Sequence, residues 1–443
     1  MGLYAEGPLE FEMDDRYSPS VAIETLGCKL NLADSERLAR EFIGKGYRIV
    51  DSDEQADIYV VNTCTVTHRA DRKARQALRS AKKRNPEAFI VATGCYAQRA
   101  PDAIRKLPEV ALLLGNDLKG RIVEDVMRLT NRMDSHVKLE RTAIPSKIPG
   151  RSRAFVKIQE GCNQVCAYCI VPIVRGRERS IPPDELIDEI RSRVKDGYKE
   201  IVLTGTQLGS YGFDLASTSL YSLIDAILKN SNVARLRVSS LQPQEITSDL
   251  LSLWRYDTRL CPHFHVPLQS GSDRVLLRMR RRYDRATYLR ALERIGEALP
   301  SATVTTDVIV GFPGETEDDF QATMGLCADA NLSAIHVFPY SSRPRTSAAH
   351  FMQQVDPKTI KRRAGQLRNF ASILEEAHRA RELGSEQRVL WEKCVGAIED
   401  VPIWSGLTEG YLRAFVVSPD ISSGLISRCR VLKANAEGVW VAL

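Results

Sequence analysis

The chain reads as α/β in three parts: an N-terminal open parallel α/β sheet over residues 18–135, a central partial (βα)6 barrel over 148–380 and a small antiparallel β-barrel over 381–443. Three observations predict this. From residue 20 to about 380, strand-length apolar runs alternate with amphipathic helical stretches, the pattern of parallel sheets covered by helices. Cysteines recur at one structural phase, directly after strands. Beyond about residue 381 the helical period stops, and short β-branched runs with turn signals every eight to twelve residues or so describe a small barrel.

In chain order, "VAIETLG" (21–27) is the first strand, and "ADSERLAREFIGKG" is a helix with Leu38, Phe42 and Ile43 on one face and Gly44 and Gly46 as stop signals. "DIYVVNT" (57–63) is the second strand, followed by a basic helix through Arg72, Arg75 and Arg79. "AFIVATG" (88–94) is the third, followed by another helix and "VALLLG". Cys28, Cys64 and Cys95 come just after these three strands. In an open parallel sheet the strand C-termini share one edge, and ligands bind there. Three cysteines distant in sequence should therefore converge. Any one of them alone is a reasonable core thiol; their recurrence at one phase favours a shared metal site. Three thiolates without a fourth protein ligand suit an iron–sulfur cluster with one open iron better than a closed structural zinc.

A connector rich in Pro, Ser and Arg ("TAIPSKIPGRSR", 142–153) leads to a second unit. "AFVKIQEGCNQVCAYCIVPIVRGRERS" holds Cys162, Cys166 and Cys169 as C-x3-C-x2-C, directly after a strand. One loop of that spacing can wrap a cluster and leave one iron open for a cofactor's amino and carboxylate groups. Zinc would need a fourth ligand nearby, and no histidine lies between residues 137 and 262. With "AFVKIQ", the runs "EIVLTG" (200–205), "ARLRVSS" (234–240), "HFHVPL" (263–268), "ATVTTDVIVGF" (302–312) and "SAIHVFPY" (333–340) make six strands, each followed by helical sequence. Six βα units imply an open partial barrel with its chemistry at the strand C-termini.

The cysteine loop, with Tyr168 before its last cysteine, resembles the radical S-adenosylmethionine (SAM) superfamily. Together with the upstream trio, the stretches "TLGCKLNLADSE", "VVNTCTVTHRADRKAR", "GCNQVCAYCIVP", "HVPLQSGSDRVLLRM" and "DVIVGFPGETEDDF" resemble the methylthiotransferase family, from about residue 20 to the C-terminus. The resemblance implies two [4Fe–4S] clusters: an auxiliary one on Cys28, Cys64 and Cys95, and a radical one on Cys162, Cys166 and Cys169 whose open iron chelates SAM. It implies reductive cleavage of SAM to a deoxyadenosyl radical, sulfur from the auxiliary cluster and a methyl group from a second SAM. It makes the central part a radical-SAM barrel and the tail a TRAM-like, RNA-binding barrel. "GCKLN" at 27–31 is similar to the branch acting on N6-threonylcarbamoyladenosine beside the tRNA anticodon; methylthiolation of N6-isopentenyladenosine or of a ribosomal-protein aspartate is the alternative within the family.

In that family equivalent strand ends cradle SAM, which makes Gly205, Thr206 and Gln207 candidates for its amino group, Ser239 and Gln242 for its ribose, and Gly311 for its adenine; each turn is also an ordinary βα turn. The threonylcarbamoyl carboxylate calls for a basic partner, with Arg343 and Arg345 as candidates against a bland role in surface ion pairs. His265 or Gln269 lines the substrate cavity or is a satisfied polar core residue. Cys261, Cys327, Cys394 and Cys429 lack cluster spacing and read as free structural thiols. The basic stretches at 68–84 and 278–290 either face phosphates or are solvated helix faces.

Composition agrees. With 443 residues, 43% hydrophobic and 27% charged, the chain has material for two or three cores. No run approaches the roughly 20 apolar residues of a membrane span, and the acidic N-terminus has no apolar signal segment, so a cytoplasmic protein is expected. Net charge is +6, from 62 basic and 56 acidic residues, which is compatible with tRNA as partner. Ten cysteines in a reducing compartment point to metal or redox work rather than disulfides. A flavodoxin- or ferredoxin-like electron donor and a monomeric state complete the expectation. Two other classes stay open: an iron–sulfur electron carrier, which leaves the barrel and tail unexplained, and an RNA-binding module, which leaves the cysteines unexplained.

Overall fold

The computed structural model describes residues 18–130 and 151–443; the acidic N-terminus and residues 142–150 of the connector lie outside the described residues. The chain forms two compact units rather than three. The first holds residues 18–130 with Ile170–Arg177, and the second holds the rest.

In the first unit the strands are β1 (Ser20–Thr25), β2 (Arg48–Val50), β3 (Ile58–Thr63), β4 (Phe89–Gly94) and β5 (Leu112–Leu113). They pair in parallel in the order β2-β1-β3-β4-β5. β3 and β4 are buried at every residue, as a sheet covered on both faces requires. Alternation along β3 supplies the two cores: Tyr59 and Val61 meet Ala74 and Leu78 of α2 (His68–Arg84), while Ile58 and Val60 meet Leu38 and Phe42 of α1 (Lys29–Gly44). α3 (Cys95–Arg99), α4 (Pro101–Arg105) and α5 (Ile122–Leu129) complete the layers. The three-residue edge strand β2 is too short to announce itself by alternation. The turn α6 (Val171–Val174) belongs here too, with Ile170 and Val174 packed against Cys95.

The second unit opens with β6 (Arg153–Lys157). A two-stranded ribbon, β7 (Gln159–Glu160) against β8 (Arg179–Ser180), then ties the base of the cysteine loop. α7 (Pro183–Lys195), β9 (Glu200–Thr204), α8 (Leu220–Asn230), β10 (Arg235–Val238), α9 (Ser248–Tyr256) and β11 (His263–His265) follow. α10 (Asp273–Arg278), α11 (Arg285–Ala298), β12 (Thr303–Val310), α12 (Glu317–Asp329), β13 (Ala334–Pro339) and α13 (Pro357–Arg381) finish the repeat. All six expected strands are present. They form two parallel sheets, β10-β9-β6 and β11-β12-β13, joined by the isolated bridges Leu236↔Leu260 and Ser240↔His265. Outward residues such as Val156, Leu203, Phe264 and Val308 build the largest core, under the helices.

β14 (Glu386–Ile398), β15 (Val401–Thr408), β16 (Arg413–Val417), β17 (Ile426–Asn435) and β18 (Gly438–Ala442) close a five-stranded barrel in the order β14-β15-β16-β18-β17. Closure requires one parallel pair, β16 with β18, in a barrel expected to be wholly antiparallel. Nor is this barrel a separate body. Its loop after β15 caps the N-terminal end of the partial barrel. Arg235 Nη1 donates to Leu407 O (3.1 Å), Arg237 donates to Thr408 O (3.2 Å) and Glu409 O (2.9 Å), Thr303 Oγ1 donates to Gly410 O (2.7 Å), and Tyr411 stacks on His263 at 4.6 Å. Glu200 answers the two arginines. Burial alone would raise its carboxyl, yet Arg237 and Arg235 hold it down to about 2. Removing one member would leave an uncompensated buried charge, which costs about 3–5 kcal/mol. Among the described residues no helix is long and apolar enough to cross a membrane.

Candidate functional site

β1, β3 and β4 are neighbours, so their C-terminal ends bring Cys28, Cys64 and Cys95 to one edge. Cys28 is the N-cap of α1, Cys64 follows β3 directly and Cys95 opens α3. Two glycines make the approach possible. Gly27 has φ +104, and a Cβ there would lie 2.7 Å from Cys64 Cβ; Gly94 has φ +95, and a Cβ would lie 2.5 Å from Thr63 O. Polar side chains stitch the edge. Asn31 Nδ2 donates to Leu26 O (2.6 Å) and Thr63 O (3.2 Å), and Asn62 Nδ2 returns to Asn31 O (2.9 Å). Behind them Asp34 accepts from Lys119 Nζ (2.7 Å) and Arg175 Nη2 (3.0 Å), all three buried. Burial holds the Lys119 ammonium below its usual range, and Asp34 works against that. Asn116 Nδ2 donates to Cys95 Sγ at 3.5 Å.

This bay suits an iron–sulfur cluster held by thiolates. Burial, with Cys95 and Cys28 nearby, pushes the Cys64 thiol up to about 12. A thiol in such surroundings ionises when a metal takes the place of its proton. The amide donor on Cys95, and the excess of buried cation over carboxylate, favour sulfur that carries negative charge.

The second trio sits on one loop. Its base is locked by Asn163 N on Glu178 Oε1 (3.1 Å) and by Glu178 N on Asn163 Oδ1 (3.3 Å). Its middle is locked by Ala167, whose N–H donates to Met279 O (3.0 Å) and whose carbonyl accepts from Ala348 N (2.8 Å). Cys169 N donates to Cys166 O (3.1 Å), a turn that gathers these two cysteines. Backbone N–H of Gln164 lies on Cys162 Sγ (3.4 Å), and Arg281 Nη1 lies on Cys166 Sγ (3.2 Å). Burial raises the Cys162 thiol to about 11.

Arg281 was not expected here; its stretch, 278–290, read as a solvated or phosphate-facing surface. α10 ends in a left-handed turn at Arg280 (φ +58), with Arg280 N on Leu277 O and Arg281 N on Leu276 O, both 2.9 Å. That turn swings Arg281 inward while Arg280 and Arg282 stay exposed. From Arg281 a hydrogen-bonded chain runs through two residues singled out from sequence. Arg281 Nη2 donates to Gln242 Oε1 (3.0 Å), Gln242 Nε2 to Gln207 Oε1, and Gln207 Nε2 to Glu245 Oε1. Burial raises the Glu245 carboxyl to about 7, against the pull of Gln242 N–H and Arg281. Thr206 Oγ1 and Arg281 Nε are buried without a hydrogen-bond partner among the described residues, as groups awaiting a polar ligand would be. Gly205 and Ser239 stand at neighbouring strand ends, Ser239 N on Leu203 O (3.1 Å).

Other expected residues lie elsewhere. Gly311 (φ +75) packs under Ile360, where a Cβ would come within 2.3 Å of Cγ1, and its N–H donates to Glu315. Arg343 is 2% exposed, with Nε on Ser342 O (3.0 Å); Arg345 is exposed at φ +69. His265 is inward, hydrogen-bonded to Thr305 and Asp307. Cys261, Cys327, Cys394 and Cys429 are free thiols. On α2, Arg69, Arg72, Lys73, Arg79 and Lys83 are exposed, while Arg75 turns to Tyr96 OH (2.8 Å).

Two family descriptions match: "Uncharacterized protein family UPF0004" over residues 20–115 and "Radical SAM superfamily" over 156–327. The threonylcarbamoyladenosine tRNA methylthiotransferase MtaB of Aquifex aeolicus is 38% identical over 84% of this chain and 92% of its own length, and that of Bacillus subtilis 35% identical over 94% of each. The chain belongs to the radical SAM methylthiotransferase family. Within that family, a tRNA-2-methylthio-N(6)-dimethylallyladenosine synthase of Endomicrobium trichonymphae is 35% identical over 85% of this chain and 89% of its own, so overall identity does not separate the branches. The radical SAM methyltransferase TsrM of Kitasatospora setae shares the fold, with a TM-score of 0.52 at 13% identity over 72% of this chain and 73% of its own. As family members do, this enzyme uses SAM and iron–sulfur clusters.

Proposed function

We propose that this methylthiotransferase acts on tRNA, placing a methylthio group on C2 of N6-threonylcarbamoyladenosine beside the anticodon. The product is 2-methylthio-N6-threonylcarbamoyladenosine. The observation that carries the chemistry is the pair of cysteine bays, each with donors aimed at sulfur. Cys28, Cys64 and Cys95 hold an auxiliary [4Fe–4S] cluster, and Cys162, Cys166 and Cys169 hold the radical cluster. The substrate is supported by the relatives named for it and by "GCKLN" at 27–31, whose Asn31 ties α1 to the strand ends. Bound in these bays, the clusters and SAM supply hydrogen abstraction, sulfur and methyl.

The chain's own residues hold and orient. Gly205, Thr206 and Gln207 receive the amino-acid end of SAM, and Ser239 and Gln242 its ribose. Arg281 sets a fixed cation beside Cys166 and orders Gln242. Glu245 anchors Gln207 at the far end of the same chain of hydrogen bonds. Gly311 shapes its corner through packing on Ile360. Reducing equivalents come from a small flavodoxin- or ferredoxin-like protein; the enzyme works as a monomer in the cytoplasm. Nucleoside mass spectrometry tests this: purified, reconstituted enzyme given tRNA with the threonylcarbamoyl group should add the mass of a methylthio substituent to that nucleoside. Modification of dimethylallyladenosine alone would refute the substrate and leave the chemistry standing.

A further inference from the structure

The inner face of the sheet β11-β12-β13 carries two tiers of side chains that the cofactor chemistry does not use. Along β13, Ile335 and Val337 turn outward to the core, so His336 and Phe338 share the inner face; they are 54% and 43% exposed. The register sets Asp307 beside His336 and Ile309 beside Phe338. One tier is thus polar and the next, toward the strand C-termini, is apolar. In the polar tier Asp307 bridges two imidazoles: Oδ2 is 3.2 Å from His265 Nε2 and Oδ1 is 3.0 Å from His336 Nδ1. The two rings stack at 5.7 Å, and Thr305 Oγ1 orients His265 from behind at 3.0 Å. Burial would raise the Asp307 carboxyl, but hydrogen bonds from both histidines outweigh it and hold it well below the usual range.

We infer that this face binds the modified adenine, with Phe338 and Ile309 against the base and the His265–Asp307–His336 trio receiving the N6 substituent and favouring a polar one. A threonylcarbamoyl group offers a carboxylate, a hydroxyl and urea N–H groups. Imidazole N–H can donate to the first, and the Asp307 carboxylate can accept from the others. A dimethylallyl group offers none of these and would displace water from the trio without replacing its hydrogen bonds, a mismatch that sites built for polar substrates reject strongly. The apolar tier suits a flat ring of any base. This assigns to the trio the selectivity expected of Arg343 and Arg345, and it rests on the threonylcarbamoyl reading above.

The test is binding of fluorescent anticodon stem-loops carrying threonylcarbamoyladenosine, dimethylallyladenosine or plain adenosine to the reconstituted full chain under anaerobic conditions. The wild type should prefer the threonylcarbamoyl loop. H336L should bind it about tenfold or more weakly, with the dimethylallyl loop unchanged within about twofold; H336Q, which keeps an N–H donor, should regain part of the loss. F338A should weaken both loops alike. Iron content and the thermal unfolding midpoint, unchanged in H336L, show that the variant is folded. An H336L protein that is folded by those measures and keeps the wild-type preference overturns the inference alone. Stoichiometric zinc on the wild type, lost in H336L, overturns it in favour of a metal site, since the three donor atoms lie within 4.8 Å of one another. A wild type that prefers the dimethylallyl loop overturns the substrate reading and this inference with it.

Discussion

The two cysteine bays are built in opposite ways. In the first unit the thiols come from three strand ends, separated by some thirty residues each, and meet because β1, β3 and β4 are neighbours. In the second, one loop carries all three and is pinned at its base and middle. A sheet-built bay depends on backbone approach, so positions that are not ligands can destroy it. A loop-built bay keeps its ligands together by covalent spacing, so its neighbours tune it instead.

The largest expected effect is at Gly27. G27A must place a Cβ on Cys64 and adopt a left-handed backbone, at a cost of about 1–2 kcal/mol for the conformation alone. Reconstituted G27A should lose the iron of the first bay, roughly half the total, while cleaving SAM as well as wild type. Full iron loading of G27A would break the contrast. Next is Arg281. R281M removes the cation from Cys166 and frees Gln242, so iron should stay near wild type while SAM affinity falls about ten- to a hundredfold. R281K should recover little, because one ammonium cannot span both partners. Loss of all iron from R281M would show that the loop bay is as fragile as the sheet bay.

A smaller effect separates the two by pH. Glu245 has a carboxyl raised to about 7 by burial, so the folded state resists its ionisation. Stability associated with the protonated form is present below about pH 4 and is lost as pH rises toward 7. E245Q removes that dependence, so its thermal stability relative to wild type should improve from pH 5 to pH 8, by up to about 3 kcal/mol. A difference independent of pH would mean Glu245 is ionised throughout. The smallest effect is on the C-terminal barrel, where Arg428 and Arg430 alternate on the exposed face of β17. Replacing both with Gln should lower tRNA affinity and reduce the salt slope by about two; an unchanged slope would place the RNA elsewhere. Cutting the barrel off is a poor substitute, since Arg235, Arg237 and Glu200 would lose their cap.

What could be read in advance follows the same division. The first three cysteine candidates were legible because strand-length apolar runs end at one phase and a parallel sheet aligns those ends, and the second three by their C-x3-C-x2-C spacing on one loop. The six barrel strands were legible from such apolar runs as well. Arg281 was not: three adjacent arginines look alike, and only the left-handed turn at Arg280 sends the middle one inward. Nothing in the local pattern marks Asp34 and Asn31 as buried; their burial depends on Lys119 and Arg175, contributed by distant stretches of chain. The insertion of the Leu407–Tyr411 loop had no local signal, although a buried Glu200 with two arginines on the next strand was a trace of it.

The most direct test of two separately built bays is iron content and deoxyadenosine formation in two triple variants, C28A/C64A/C95A and C162A/C166A/C169A, after anaerobic reconstitution. Each should retain about four irons per chain. The first should still form deoxyadenosine but add no methylthio group, and the second should form none. A triple variant that binds no iron, or deoxyadenosine formed by the second at the wild-type rate, would contradict the assignment.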